Sequence, residues 1–151
     1  MLIIVLFSQL LVGCVTNKSW TTIYIYAGGN DATKVAWYND TVKLQPAGLQ
    51  TTQTAGSKAP NALGIYDMSG NVSEWCWDWF ISYKDIVNPN FDSNPYANPR
   101  GPVYGDQKVR RGGGWSNAAG NVRNVVRNSD TPDTANWVVG FRVVRGPSKI
   151  W

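Results

Sequence analysis

Apolar and polar positions never hold a helical period for long in this chain; short alternating or β-branched runs are broken by turn residues instead. The first run, Leu2 to Cys14 (LIIVLFSQLLVGC), is predominantly apolar, of signal-sequence length and too short to span a bilayer. Trp20 to Tyr26 (WTTIYIY) alternates and predicts a strand or extended arm, closed by a turn at Ala27 to Asp31. Val35 to Tyr38 is an apolar island before a second turn at Asn39 and Asp40. Leu44 to Lys58 is polar loop, and Pro60 to Gly64 is another turn. Trp75, Trp77 and Trp79 alternate with Cys76 and Asp78, which predicts a strand with three indoles on one face. Val87 to Val103 carries four prolines and four asparagines and predicts a long surface loop. Short strands are expected at Lys108 to Arg111, Val122 to Arg127 and Phe141 to Arg145. No internal repeat appears, so a strand-and-loop architecture is expected.

Composition sharpens that picture. At 151 residues, with 43% apolar and 16% charged positions, the chain fits one globular domain. Eight Trp and seven Tyr can build a core with little regular structure, because each aromatic buries a large area. The net charge of +4 is uneven: from Arg100 onward nine Lys or Arg face three Asp, whereas five Lys face six Asp and one Glu before it. A basic half can attract nucleic acid, but guanidinium groups beside Trp and Gly serve equally as buried partners for carboxylates and carbonyls. The second use is the reading for Arg110, Arg111, Arg127 and Arg142, with Asp78 as a partner, and no nucleic-acid partner is expected. Histidine is absent, which removes the commonest general base, the Ser–His and Cys–His pairs and the usual transition-metal ligand.

Cysteine occurs only at Cys14 and Cys76. The end of the first apolar run, Leu11-Val12-Gly13-Cys14, resembles the lipobox of bacterial lipoproteins, in which the cysteine is lipidated and becomes the mature N-terminus. No Lys or Arg precedes the run, so a buried N-terminal strand is the competing reading. The lipobox implies an exported protein, anchored by lipid at a bacterial membrane in the periplasm or at the cell surface. Cys76, between two tryptophans, then has no disulfide partner and reads as a small buried hydrophobe.

The chemistry concentrates between Asp67 and Glu74. A carboxylate at each end, with a Gly70-Asn71 turn exposing carbonyls between them, makes a small oxygen-lined concavity. Hard cations such as calcium take six to eight oxygens from such mixtures, and two carboxylates suit an extracytoplasmic calcium level. The same residues also fit a capped turn in which Glu74, the sole glutamate, binds a nearby arginine.

The stretch from Pro60 to Trp75 (PNALGIYDMSGNVSEW), with Asp78-Trp79 after it, resembles a signature of the formylglycine-generating enzyme, or sulfatase-modifying factor, family. A second block follows in the family's order: Val109-Arg110-Arg111-Gly112-Gly113-Gly114-Trp115, Arg127, Thr131-Pro132-Asp133 and Gly140-Phe141-Arg142-Val143. The resemblance implies an α+β, C-type-lectin-like fold of short strands and many loops. It also implies a structural calcium site made by the side chains of Asp67 and Glu74 and the carbonyls of Gly70 and Val72.

Family enzymes bind copper(I) through two cysteines in the block that here runs from Ser116 to Val139, and that block contains no cysteine. The corresponding positions fall at Asn124 and near Ala119, neither of which can hold copper(I). A related branch uses a histidine-ligated iron, and this chain has no histidine. The expectation is therefore no catalytic residues, no copper, and a non-catalytic binding or structural domain, with a sulfatase-modifying oxidase as the alternative. In some family receptors the block is an Asn-rich ligand surface, and here Trp115, Asn117, Asn121, Asn124, Asn128, Asn136 and Trp137 would form it. Its partner would be a protein or small ligand at the cell surface, with membrane contact only through the anchor. The expected division is a leader at 1–14, a divergent arm at 15–34, a partial family domain at 35–146 shortened on its N-terminal side, and a tail at 147–151.

Overall fold

Frequent turn residues keep every element short. The computed structural model describes residues 24–86 and 101–143. Within them the order is α1 (Ala32–Val35), β1 (Ala36–Trp37), α2 (Asn39–Val42), β2 (Ser69–Gly70), β3 (Ser73–Trp79), α3 (Tyr83–Ile86), β4 (Lys108–Arg111), a 3-10 turn (Ala119–Val122), β5 (Asn128–Asp130) and β6 (Val139–Gly140). β1 and β2 form a parallel pair, while the main sheet runs β5-β4-β3-β6. Its β3–β4 and β4–β5 pairs are antiparallel and its β3–β6 pair is parallel. None of the described helices is long and apolar enough to cross a membrane.

Local chemistry explains the short helices. Asp31 caps α1 by accepting from the Thr33 N–H at 3.0 Å, and the Thr41 hydroxyl closes α2 by accepting from the Tyr38 N–H at 2.9 Å. Apolar burial is divided among three small clusters. Ala32, Ala36, Tyr38 and Val122 form one, Cys76 and Val109 pack with Phe80, and Ala27 and Met68 pack with Ile65.

The alternation of β4 sets the two faces of the sheet. Val109 and Arg111 are buried, while Lys108 and Arg110 turn to the other side. There the Lys108 ammonium lies 3.6 Å from the Trp79 ring centroid and 5.1 Å from that of Trp77, and Arg110 lies 5.7 Å from Trp75. The three indoles thus form a cation-bearing surface, with Trp77 61% exposed. Each such contact contributes about 0.5–1 kcal/mol at exposed sites.

Two strand expectations are corrected. Residues 122–127 are not a strand: Val122 ends the 3-10 turn and is fully buried in the first cluster. The Asn124 N–H and carbonyl are spent on the Ile25 carbonyl and on Arg111, so they are not free for a ladder; the strand forms at Asn128–Asp130. At 141–145 the pairing falls earlier, at Val139–Gly140; no strand covers Phe141 to Val143, and 144–145 lie outside the described residues. Of the arm at 20–26, positions 20–23 lie outside the described residues; Tyr26 bridges to Gly29, and the Tyr24 and Ile25 carbonyls accept from Asn124. The leader at 1–14 and most of the 87–103 loop also lie outside them.

β2 can approach β1 only because position 70 is glycine. Gly70 has φ +81°, and a Cβ there would sit 2.2 Å from the Trp37 carbonyl oxygen. Gly48 has a similar φ of +88° with no atom within 4 Å of such a Cβ. Gly48→Ala should therefore cost about 1 kcal/mol from backbone strain alone. Gly70→Ala adds a clash with backbone and should cost about 4 kcal/mol or more. Urea denaturation of the two variants checks this, and equal losses would contradict it.

Candidate functional site

The turn between β2 and β3 is wound by consecutive left-handed residues, Gly70 and Asn71, with Asp67 shortly before them also at positive φ. Asn71 pays for its conformation with bonds to three distant segments. Its N–H donates to the Trp37 carbonyl at 2.7 Å, its carbonyl accepts from the Trp115 N–H at 2.8 Å, and its side-chain amide pairs with both backbone groups of Gln53. The Gly70 N–H donates to the Gly112 carbonyl at 2.9 Å. The Gly-rich second block is thereby fastened to the first.

This winding leaves a cavity of about 580 Å³, lined by Tyr66, Asp67, Asn71, Val72, Glu74 and Arg142 among others. Asp67 Oδ2 accepts from the Gly56 N–H at 2.7 Å, whereas Oδ1 is buried with no hydrogen-bond partner. Glu74 is buried and held by Arg142, whose Nε lies 3.1 Å from each carboxylate oxygen and whose Nη2 lies 2.7 Å from Oε1. The same Nη2 donates to the Tyr66 carbonyl at 2.9 Å. Hydrogen bonding to Glu74 raises the Arg142 pKa further.

Of the expected calcium ligands, Asp67, Val72 and Glu74 meet at this cavity, while Gly70 is not in its lining. The residues fit a hard cation in one specific respect: a buried carboxylate oxygen lacks a partner, and uncompensated burial of that kind is costly. Among the described residues no three His, Cys, Asp or Glu side chains come together. A cation here would draw part of its shell from carbonyls and water, as calcium does. Arg142 was legible as a motif position, but its pairing with Glu74 across 68 residues was not assigned to it.

The residues of the 115–139 segment do not gather at one point. Asn117 Oδ1 accepts from the Gly114 N–H, Asn136 Oδ1 accepts from the Val138 N–H, and the Asn124 amide donates to the Tyr24 carbonyl. Those three amides are engaged within the fold. Trp115 is half-buried, with its indole N–H unpartnered. Asn121, Asn128, Asn136 and Trp137 face solvent, Trp137 at 80% exposure. Asn128 lies in β5 and Trp137 just before β6, at opposite edges of the sheet, about 14 Å apart by strand spacing.

Three arginines of the basic half are engaged within the fold. Arg110 pairs with Asp130 at 2.7 Å, Arg111 donates to the Asn124 carbonyl, and Arg127 donates to the Ile81 carbonyl. Cys76 is buried, and burial pushes its thiol pKa up to about 12. Cys14 lies outside the described residues.

Comparison with known proteins adds an independent line. The family model for the sulfatase-modifying factor enzyme 1-like domain matches residues 19–147. The chain is 37% identical over 95 residues to the serine/threonine-protein kinase pkn1 of Chlamydia pneumoniae, covering 62% of this chain and 14% of that protein. It is 35% identical over 98 residues to the formylglycine-generating enzyme of Streptomyces coelicolor, covering 63% of this chain and 29% of that enzyme. Among solved structures, Treponema denticola variable protein 1 matches with a TM-score of 0.62 at 29% identity, over 80% of this chain and 40% of that one. PvdO from Pseudomonas aeruginosa matches with a TM-score of 0.56 at 28% identity, over 72% and 38%. The chain thus spans less than half the length of each of these proteins.

The state of Cys76 has two measurable consequences. With a pKa of about 12, the folded thiol should resist iodoacetamide at pH 8 and react only after unfolding. The folded pKa lies above the ordinary value of 9.0, so the group's contribution to stability is complete below pH 9 and is lost as pH rises toward 12. Over that range stability should fall as pH rises. Cys76→Val should remove that slope; labelling of native protein as fast as of unfolded protein would contradict the assignment.

Proposed function

The chain belongs to the sulfatase-modifying factor family and has its α+β, C-type-lectin-like fold, and within that family we propose that it is a non-catalytic, calcium-stabilised binding or structural domain. The observation that carries the calcium reading is the buried, unpartnered Oδ1 of Asp67 at a cavity shared with Glu74 and Val72. Calcium bound there would have a structural role, joining the turn before β3 to the wall formed by Tyr66 and Arg142.

The non-catalytic reading rests on the cysteines. Copper(I) chemistry needs a pair of thiolates. The chain has Cys14 and Cys76 alone, and Cys76 is buried and held protonated. No copper is therefore assigned. The likeness to a formylglycine-generating enzyme keeps one alternative, an oxidase acting on a sulfatase cysteine; formylglycine in a sulfatase peptide incubated with this protein and copper would establish it.

The proposed partner is a protein or small ligand at the cell surface, met by the exposed part of the 115–139 segment: Asn121, Asn128, Asn136 and Trp137. The protein is proposed to be exported and lipid-anchored through Cys14 at a bacterial membrane. No nucleic-acid partner is proposed, because Arg110, Arg111, Arg127 and Arg142 are engaged within the fold.

Thermal unfolding in calcium and in chelator tests the central part. Calcium at 100-fold over its Kd stabilises by about 2.7 kcal/mol, which is about 8 °C in Tm for a domain of this size. Asp67→Asn should remove most of that shift. A wild-type Tm that is the same in calcium and in chelator would contradict the proposal.

A further inference from the structure

We propose that Arg142 is the built-in counter-cation of the Asp67–Glu74 site, holding Glu74 in the metal-free protein and keeping calcium binding weak. This rests on the calcium reading above and concerns what sets the strength of that site.

The geometry singles out Arg142. Its Nε and Nη2 engage both oxygens of Glu74, and Nη2 also reaches the Tyr66 carbonyl on the cavity wall. One guanidinium therefore bridges a proposed ligand and the wall beside it. Asp67 also acts on Arg142 through its charge, yet keeps Oδ1 without a partner. The two carboxylates of the site are thus treated unequally: Glu74 is neutralised from within, and Asp67 is not.

Charge then fixes the direction of the effect. Asp67, Glu74 and Arg142 together leave the site one net negative charge. Calcium affinity in oxygen sites follows ligand charge, and weakly charged sites fall near 10⁻⁴–10⁻³ M by order of magnitude. A divalent ion approaching Glu74 meets a carboxylate whose acceptor capacity is partly used by a guanidinium. It must either share Glu74 with that cation at close range or displace it. Both routes weaken binding, and the bonds that weaken binding also keep the metal-free fold closed.

The signature is a pair of effects with opposite signs. Arg142→Gln should lower the Tm measured in chelator and tighten calcium binding at least tenfold by isothermal titration calorimetry. Arg142→Lys keeps the charge but loses the two-pronged contact with Glu74, and should bind calcium more weakly than Arg142→Gln. If Arg142→Gln is unfolded without metal, saturating calcium should refold it. A wild type that binds calcium while Arg142→Gln binds equally or more weakly, or is not refolded by calcium, would show Arg142 to be a packing residue only and overturn this proposal alone. A wild type that binds no calcium would overturn the calcium reading itself, and this proposal with it.

Discussion

A buried glutamate with an arginine closed over it is the constraint on which the sheet depends. Glu74 sits in β3, the strand that β4 and β6 flank, in register with Arg111 on one side and Gly140 on the other. β6 pairs with β3 over only two residues, too little to hold a strand by its ladder alone. Arg142, two residues beyond β6, ties that end back to Glu74 and to the Tyr66 carbonyl. Removing one partner of such a buried pair leaves the other charge uncompensated, which costs about 3 kcal/mol or more. That is a large share of the 5–15 kcal/mol typical of a whole domain.

The rest of the structure follows a similar economy. Three small apolar clusters cannot by themselves fix so many loops. Polar groups supply the order: Asn71 fastens Trp37, Gln53 and Trp115, and Lys108 lies against two indoles of β3 while donating to the Trp77 carbonyl. Directional bonds of this kind demand particular residues at particular positions. That is why the fold's signatures are long strings of Asp, Gly, Asn and Arg rather than an apolar period.

The legible and the hidden parts of the sequence differ for a physical reason. β3 and β4 were readable because alternation is a local signal that survives in the fold: Cys76 and Val109 are buried, with Trp77 and Lys108 on the other side. The apolar run Val122 to Arg127 misled because its valines serve different ends. Val122 fills a cluster, while the backbone of Asn124 is claimed by Ile25 and Arg111. At the site, the motif placed Asp67, Val72 and Glu74 together, and the structure brings those three to one cavity. The Arg142–Glu74 bond spans 68 residues, and no local pattern encodes a partner at that distance. Composition alone cannot separate an amide tied into a turn, such as Asn117, from one facing solvent, such as Asn128.

Terbium luminescence tests most directly the proposed cation between Asp67 and Glu74. Terbium replaces calcium at oxygen sites, and its emission is excited through a nearby phenol or indole. Tyr66 lines the cavity and Trp75 follows Glu74 in β3. The account predicts sensitised emission that saturates at one ion per chain, is chased by calcium and is lost in Glu74→Gln. Absence of sensitised emission from the folded wild type, or emission unchanged by Glu74→Gln, would contradict it.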